Sequence, residues 1–495
     1  MGMAKLQKSV CILRGVNSIC NTLLTSVLSA TERLGLLGEI KLCSRNKTNA
    51  KDLSSPEALK ALCSYAFSKK LSSAITLEAL RSLANILFLY PSTQQLLVDL
   101  GHGGDLVDRL GSSDWADQFV AGRILFLLTY QSKLNFEILI DERGLAKTIN
   151  EALLSHAKYY SRIRSPSRKE RTSEDDSALS EVLKLLFNIT HYLPDRVDAF
   201  SKSIPPILKI MCRMKTPSPC LQAPMSYLLN ALLNLDLEDK RKSFLGFSPL
   251  FPKSDIKCNA DRMIDLLSAA TIDYADAELD NQVVPLVTVM RRVYGMAPDV
   301  VKRLFKSRLL PTDEDREQVL GKSNSLSSRL LKLSTSPVAP RVRDQISALL
   351  FELSDSDASE LVRNIGYGFA SGFLMNKQIA IPQDALEAHA ATEDEPPDYI
   401  TASANAIGSA EAGSSTSPST GARRQPTDAI TGQLLSAKQK LERLKEIGPE
   451  MTEDEKIREA EKLFVLFERL KKNGIIKVAN PVETAIQEGR FEELD

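Results

Sequence analysis

The stretch Leu80-Arg-Ser-Leu-Ala-Asn-Ile-Leu87 decides the fold, because it comes back along the chain. Close versions run at Val182–Thr190 (VLKLLFNIT) and Tyr227–Leu235 (YLLNALLNL), and a diverged one at Gly122–Thr129 (GRILFLLT). Later ones are Pro285–Val293 (PLVTVMRRV) and Ile346–Ser354 (ISALLFELS). In each the apolar residues recur at helical spacing. A short amphipathic unit cannot bury its apolar face alone, whereas a stack of such units buries a continuous core. A return every ~40–60 residues suits armadillo or HEAT units with loop insertions.

Working outward, helix stops fall where the pattern needs them. Pro91 follows Leu83–Tyr90, Pro194 follows Leu183–Leu193, and Pro311 follows Val301–Leu310. Proline lacks the amide proton and clashes with the preceding turn. The expectation is therefore an all-α, armadillo/HEAT-like superhelical solenoid over residues 1–375. Its insertions Ser161–Ser177, Asp236–Lys257 and Asp313–Ser328 are polar and read as exposed connections.

Residues 376–430 change character. Ala391–Gln425 is rich in Ala, Ser, Thr, Gly and Pro and has little to bury, so a disordered, acidic, Ser/Thr-rich linker is expected. Residues 431–495 read as a carboxyl-terminal helical segment. Thr452 with Glu455 forms a capping box, and Ile457, Ala460, Leu463, Phe464, Phe467 and Leu470 make one apolar stripe. Such a stripe must dock on something, which makes Phe464 and Phe467 candidate partner contacts.

Composition excludes several classes. Lys+Arg and Asp+Glu balance at 63 each, so no net basic field favours nucleic acid as the main ligand. The seven cysteines contain no Cys-x-x-Cys, and the four histidines are scattered. Reduced thiols and no metal site are expected. No apolar run approaches the ~18 residues of a membrane span. The segment Gly366-Tyr-Gly-Phe-Ala-Ser-Gly372 fails as a nucleotide loop, because its spacing is wrong and no Lys-Ser/Thr follows. Small residues there suit close packing at the end of the array. No catalytic grouping and no cofactor site is read from the chain.

Aligned on their leucines, three repeats place asparagine in one slot: Asn85, Asn188 and Asn234. Leu127 and Glu352 occupy that slot in two others. Arg81 and Arg123 both stand four residues before it. Asparagine offers an acceptor and two donors, which suits either gripping a peptide backbone or bracing neighbouring helices. The arginines suit a carboxylate. Arg291, Arg292, Arg303 and Arg308 read as a solvated face or, alternatively, as a site for an acidic partner or an intramolecular tail. Ser173, Ser354, Ser356 and Thr392 each have acidic residues just downstream, a pattern that acid-directed kinases favour.

These residues carry a resemblance. LRSLANILFLYPSTQQLLVDLG, GRILFLLTYQSKLNFEILIDERGL, EVLKLLFNITHYLPD, NIGYGFASGFLMN and MTEDEKIREAEKLFVLFERLKKNGII resemble, in order, the core segments of the synembryns, closest to the fungal branch. The resemblance implies a guanine-nucleotide exchange factor and folding chaperone for G-protein alpha subunits. A cytoplasmic location is expected from the lack of a signal peptide or membrane run, and the resemblance implies a monomer that takes the nucleotide-free or GDP form of its partner and is recruited through it to the cell cortex. It also implies a concave groove for the alpha subunit's C-terminal helix, with Arg81, Asn85, Arg123, Asn188 and Asn234 as candidates to line it. The alternative reading is an armadillo-type adaptor for another helical or extended peptide. A nuclear-import receptor would want tryptophans beside the asparagines, and Trp115 is the single one.

Overall fold

The computed structural model describes residues 28–161, 173–238, 248–380 and 427–446. Two compact units result. The first holds the array and the short segment Ala429–Gly432, and the second holds Ala412–Asp428 and everything from Gln433 onward. Among the described residues the structure is helical, with isolated bridges and no named strand.

The recurrent segments build one row of the array. Its helices are α1 (Ala30–Cys43), α2 (Ser73–Leu89), α3 (Trp115–Gln131), α4 (Ser173–Tyr192), α5 (Met225–Asn234), α6 (Val284–Met296) and α7 (Pro340–Leu353). Each packs on the next in chain order. A second row, including Pro56–Ala66, Gly103–Leu110, Leu145–Ser161, Ile204–Arg213, Cys258–Asp273 and Leu326–Ser334, packs against the first. Tyr367–Asn376 follows as α8.

Local chemistry explains the punctuation. α2 ends at Leu89 and α4 at Tyr192, each two residues before its proline. Ser29 and Glu32 form a capping box on α1, and Asp114 caps α3 through Ala116 N. The leucines, isoleucines and valines of both rows form one buried cluster that runs from Leu37 to Leu374. Each such side chain contributes about 1.5–3 kcal/mol on burial, so neighbouring repeats supply most of each other's stability. Gly122 lets α3 and α4 close together: a Cβ there would lie 3.3 Å from Glu181 Cβ.

Three expectations are corrected. The segment Asp313–Ser328 is not an exposed connection, because Asp315, Arg316, Ser327 and Ser328 are buried. The hydroxyls of Ser323 and Ser327 donate to Asp315 at 2.7 and 2.6 Å, which offsets the cost of burying its carboxylate. The arginine cluster is not simply a solvated face. Arg291 Nε donates to Glu352 at 3.0 Å, and Arg292 donates to the carbonyls of Leu232, Leu233 and Leu235 at 2.7–3.0 Å, capping α5. Arg308 pairs with Asp261 and Asp265, and Arg303 is exposed. Among the thiols, Cys43 is disulfide-bonded rather than reduced. Cys63 and Cys220 are buried and free, and burial pushes both up to about 12.

The linker Ala391–Gln425 and the stretch Thr452–Lys472 lie outside the described residues. The end of the expected 376–430 linker differs from that reading. Ala429 and Ile430 accept hydrogen bonds from the backbone of α8, and Arg316 donates to Gly432 O. In the second unit, Asp428 N donates to Gln433 O at 2.7 Å and Lys438 pairs with Asp428, ahead of the helix Leu435–Glu446.

Candidate functional site

The asparagine slot has a common geometry. Asn85 Nδ2 on α2 donates to Ser44 Oγ, just past the end of α1, at 3.0 Å. Asn188 Nδ2 on α4 donates to Thr129 Oγ1 on α3 at 2.7 Å. Asn234 Nδ2 on α5 donates to Phe187 O on α4 at 3.1 Å. Each reaches back to the preceding helix of the row. Glu352 in the same slot of α7 is reached by Arg291 of α6, while Leu127 simply packs in the core. The slot therefore braces successive repeats, with an amide or an ion pair standing in for packing that a leucine would supply.

Four residues before the slot the row carries charge. Arg81 pairs with Glu78 at 2.8 Å, and Lys41 of α1 binds the same carboxylate. Burial alone would raise the Glu78 pKa, but the hydrogen bonds and charges of Lys41 and Arg81 outweigh it and hold it below the ordinary 4.5. Arg123 lies 3.3 Å from Glu181 of α4 and sits over the Phe88 ring at 5.6 Å. Lys184 occupies the equivalent position on α4. It pairs with Glu181 at 2.7 Å and lies over the Phe126 ring at 4.7 Å. The alignment contained this third cation at the same spacing, but as lysine rather than arginine, and sequence reasoning missed it.

These positions surround a groove of about 730 Å3. Lys41, Arg45, Arg81, Asn85, Trp115 and Arg123 line it, together with Asp175 and Ser177. Four cations line it against two aspartates, Asp114 and Asp175. Trp115 stacks on His156, with ring centroids 5.0 Å apart, which fixes its indole at the groove wall. Glu78 and Glu181 pair with Arg81 and Arg123 and hold them at defined positions. Glu181 is 4% exposed, and its Oε2 is buried without a hydrogen-bond partner.

Exposed aromatic rings recur along the row, and Phe88 lies under Arg123 of the groove. Phe88, Tyr130 and Tyr192, at the ends of α2, α3 and α4, are 58%, 55% and 54% exposed. They stand three, three and four residues after the slot. A second cleft of about 370 Å3 lies between the ends of α3 and α4, lined by Thr129, Leu134, Phe136 and Tyr192 among others. Charge beside exposed aromatic rings fits an amphipathic peptide better than a small polar molecule.

Of the expected partner contacts, Arg81, Asn85 and Arg123 come together in the groove. Asn188 and Asn234 lie further along the row, with their amides engaged between helices. Phe464 and Phe467 lie outside the described residues. Ser354 is withdrawn as a phosphorylation candidate: it is 1% exposed, donates to Leu350 O and accepts from Asn364 Nδ2. Ser356 is exposed in the following turn, Ser173 opens α4, and Thr392 is not among the described residues. Among the described residues no helix is long and apolar enough to cross a membrane.

The chain is similar in sequence to known proteins. A synembryn-like chaperone from Schizosaccharomyces pombe is 26% identical over 84% of this chain and 76% of its own. The chaperone Ric-8A of Macaca fascicularis is 23% identical over 92% of this chain and 84% of its own. The chaperone Ric-8 of Drosophila pseudoobscura pseudoobscura is 23% identical over 82% and 71%. The model of the guanine nucleotide exchange factor synembryn matches residues 36–490, and the chain belongs to that family.

Proposed function

We propose that this chain binds the alpha subunit of heterotrimeric G proteins and acts on it as exchange factor and folding chaperone. Its groove would hold the alpha subunit's carboxyl-terminal helix. One observation supports the site assignment: Lys41, Arg45, Arg81 and Arg123 converge on a groove, with the exposed Phe88 ring under Arg123. A helix that ends in a free carboxylate meets both requirements, with its charge among the cations and its apolar face on Phe88, Tyr130 and Tyr192.

The mechanism is one of linkage and needs no catalytic group on this chain. A factor that binds the nucleotide-free alpha subunit better than the loaded one favours nucleotide release. A preference of ~10⁴ corresponds to about 5.5 kcal/mol of differential affinity. Taking hold of the terminal helix supplies it if that helix must shift for the groove to close on it. The same grip on a partly folded alpha subunit accounts for chaperoning. The stretch Thr452–Lys472, with Phe464 and Phe467, would supply a second grip on the body of the partner.

The test is binding of nucleotide-free, GDP-loaded and GTP-loaded alpha subunits to the purified chain, with GDP release followed in parallel. Tightest binding to the nucleotide-free form and accelerated release are expected. Equal affinity for all three would remove the exchange reading. Binding to the isolated terminal peptide alone would leave an adaptor. Deleting residues 447–495 should weaken binding to the whole subunit and spare the peptide.

A further inference from the structure

The glycine-rich segment at the start of α8 has an occupant. Tyr367 N donates to Ala429 O at 2.8 Å and Gly368 N to Ile430 O at 3.1 Å. These are the first two amides of a helix, which have no acceptor within it. Gly366, with φ +78°, is required by the visitor: a Cβ there would lie 2.8 Å from Ile430 O and 3.0 Å from Gly432 N. Both neighbours are backbone and cannot give way. Arg316, itself buried, completes the slot by donating to Gly432 O at 2.9 Å and to Asn364 O at 2.6 Å. Asn364 Nδ2 in turn donates to Ser354 Oγ. Gly432 has φ +67°, and a Cβ there would collide with the Leu320 side chain. Two glycines, a buried arginine and the first two amides of α8 thus converge on four residues that lie more than fifty positions away in the sequence.

We propose that Ala429–Gly432 is an intramolecular clasp that sets the anchor point of the chain's carboxyl-terminal segment. It fixes the chain against the start of α8, so that the sequence after Gly432 departs from that point. The consequence for binding rests on the partner reading above. Counted from Asn376, the tether to Thr452 is roughly 76 residues; counted from Gly432 it is roughly 20. Effective concentration falls as a tether lengthens, so the shorter span raises that of the terminal segment. It also separates two roles. Changes of length or charge within 377–428 leave the reach of the tail unaltered.

The test compares the full-length protein with its Gly432→Val variant. Gly432 lies on the clasp and not in the helical array, so the array itself should fold. Hydrogen exchange at Tyr367 and Gly368 reports the clasp directly, because the first amides of a helix exchange fast unless an outside acceptor protects them. Protection in the wild type, its loss in Gly432→Val and its return on adding a synthetic peptide of residues 427–435 are expected. Affinity for the whole alpha subunit should fall, while affinity for its terminal peptide stays unchanged. Unprotected amides in the wild type, or lost protection with unchanged affinity for the whole subunit, would overturn the proposal. Failure of the wild type to bind the terminal peptide would instead sink the partner reading and leave the exchange result standing.

Discussion

The side-chain amide of Asn188 donates to the hydroxyl of Thr129 at 2.7 Å, across the joint between two successive helices of the row. Asn188 is buried, and the two residues are 59 positions apart in the chain. The bond is therefore a strut between repeats. Asn188→Ala should destabilise the array by about 1–2 kcal/mol. Pairing it with Thr129→Ala in a double-mutant cycle should show coupling of about 1 kcal/mol, measured by denaturant unfolding. Additive effects would mean that the amide works elsewhere.

The groove predictions concern charge. Arg81→Ala and Arg123→Ala should each lower affinity for a peptide of the alpha-subunit terminus by roughly tenfold, the worth of one charge-assisted hydrogen bond. Amidating that peptide should cost the wild type a similar factor and the double variant almost nothing. Isothermal titration at two salt concentrations checks this, because a charge-dominated grip weakens as salt rises.

Asp315 sets a pH dependence. Burial would raise its pKa, but hydrogen bonds from Ser325, Ser327 and Ser323 and from Thr312 N outweigh it and hold the group below the ordinary 3.8. A carboxylate whose folded pKa is depressed contributes stability above its unfolded pKa and loses it as pH falls through the folded value. The stability advantage of wild type over Asp315→Asn should therefore be full at pH 7 and shrink only below about pH 4. A difference that is flat from pH 7 to pH 2 would show that the serines do not favour the charged form.

Ser354 and Ser356 are two residues apart and should behave oppositely. Ser354→Glu places a charge in a site that is 1% exposed and breaks the bond from Asn364, so a loss of several kcal/mol is expected. Ser356→Glu stands in an exposed turn and should stay within ~0.5 kcal/mol. Thermal melts of the two variants decide it. The acidic residues around both are the same, so a kinase motif alone does not separate them.

Local periodicity was enough to establish that the chain is a helical array. Leucines at helical spacing, proline stops and a segment returning from Leu80 to Ile346 are statements about neighbouring residues, and helix formation is mostly a neighbour-to-neighbour matter. The basic positions Arg81 and Arg123 were legible for the same reason, since repeats place equivalent residues on equivalent faces. Only the tertiary structure decided what each equivalent residue does there. The slot asparagines spend their amides on the preceding helix, a contact that depends on repeats 41 to 59 residues apart coming into register. Arg292 caps carbonyls of α5 and Arg291 meets Glu352 across similar gaps, so composition alone misread both as solvated. Gly366 read as a packing glycine without a visible visitor. Its visitor comes from Ala429–Gly432, and long-range return of the chain leaves no periodic mark in the sequence.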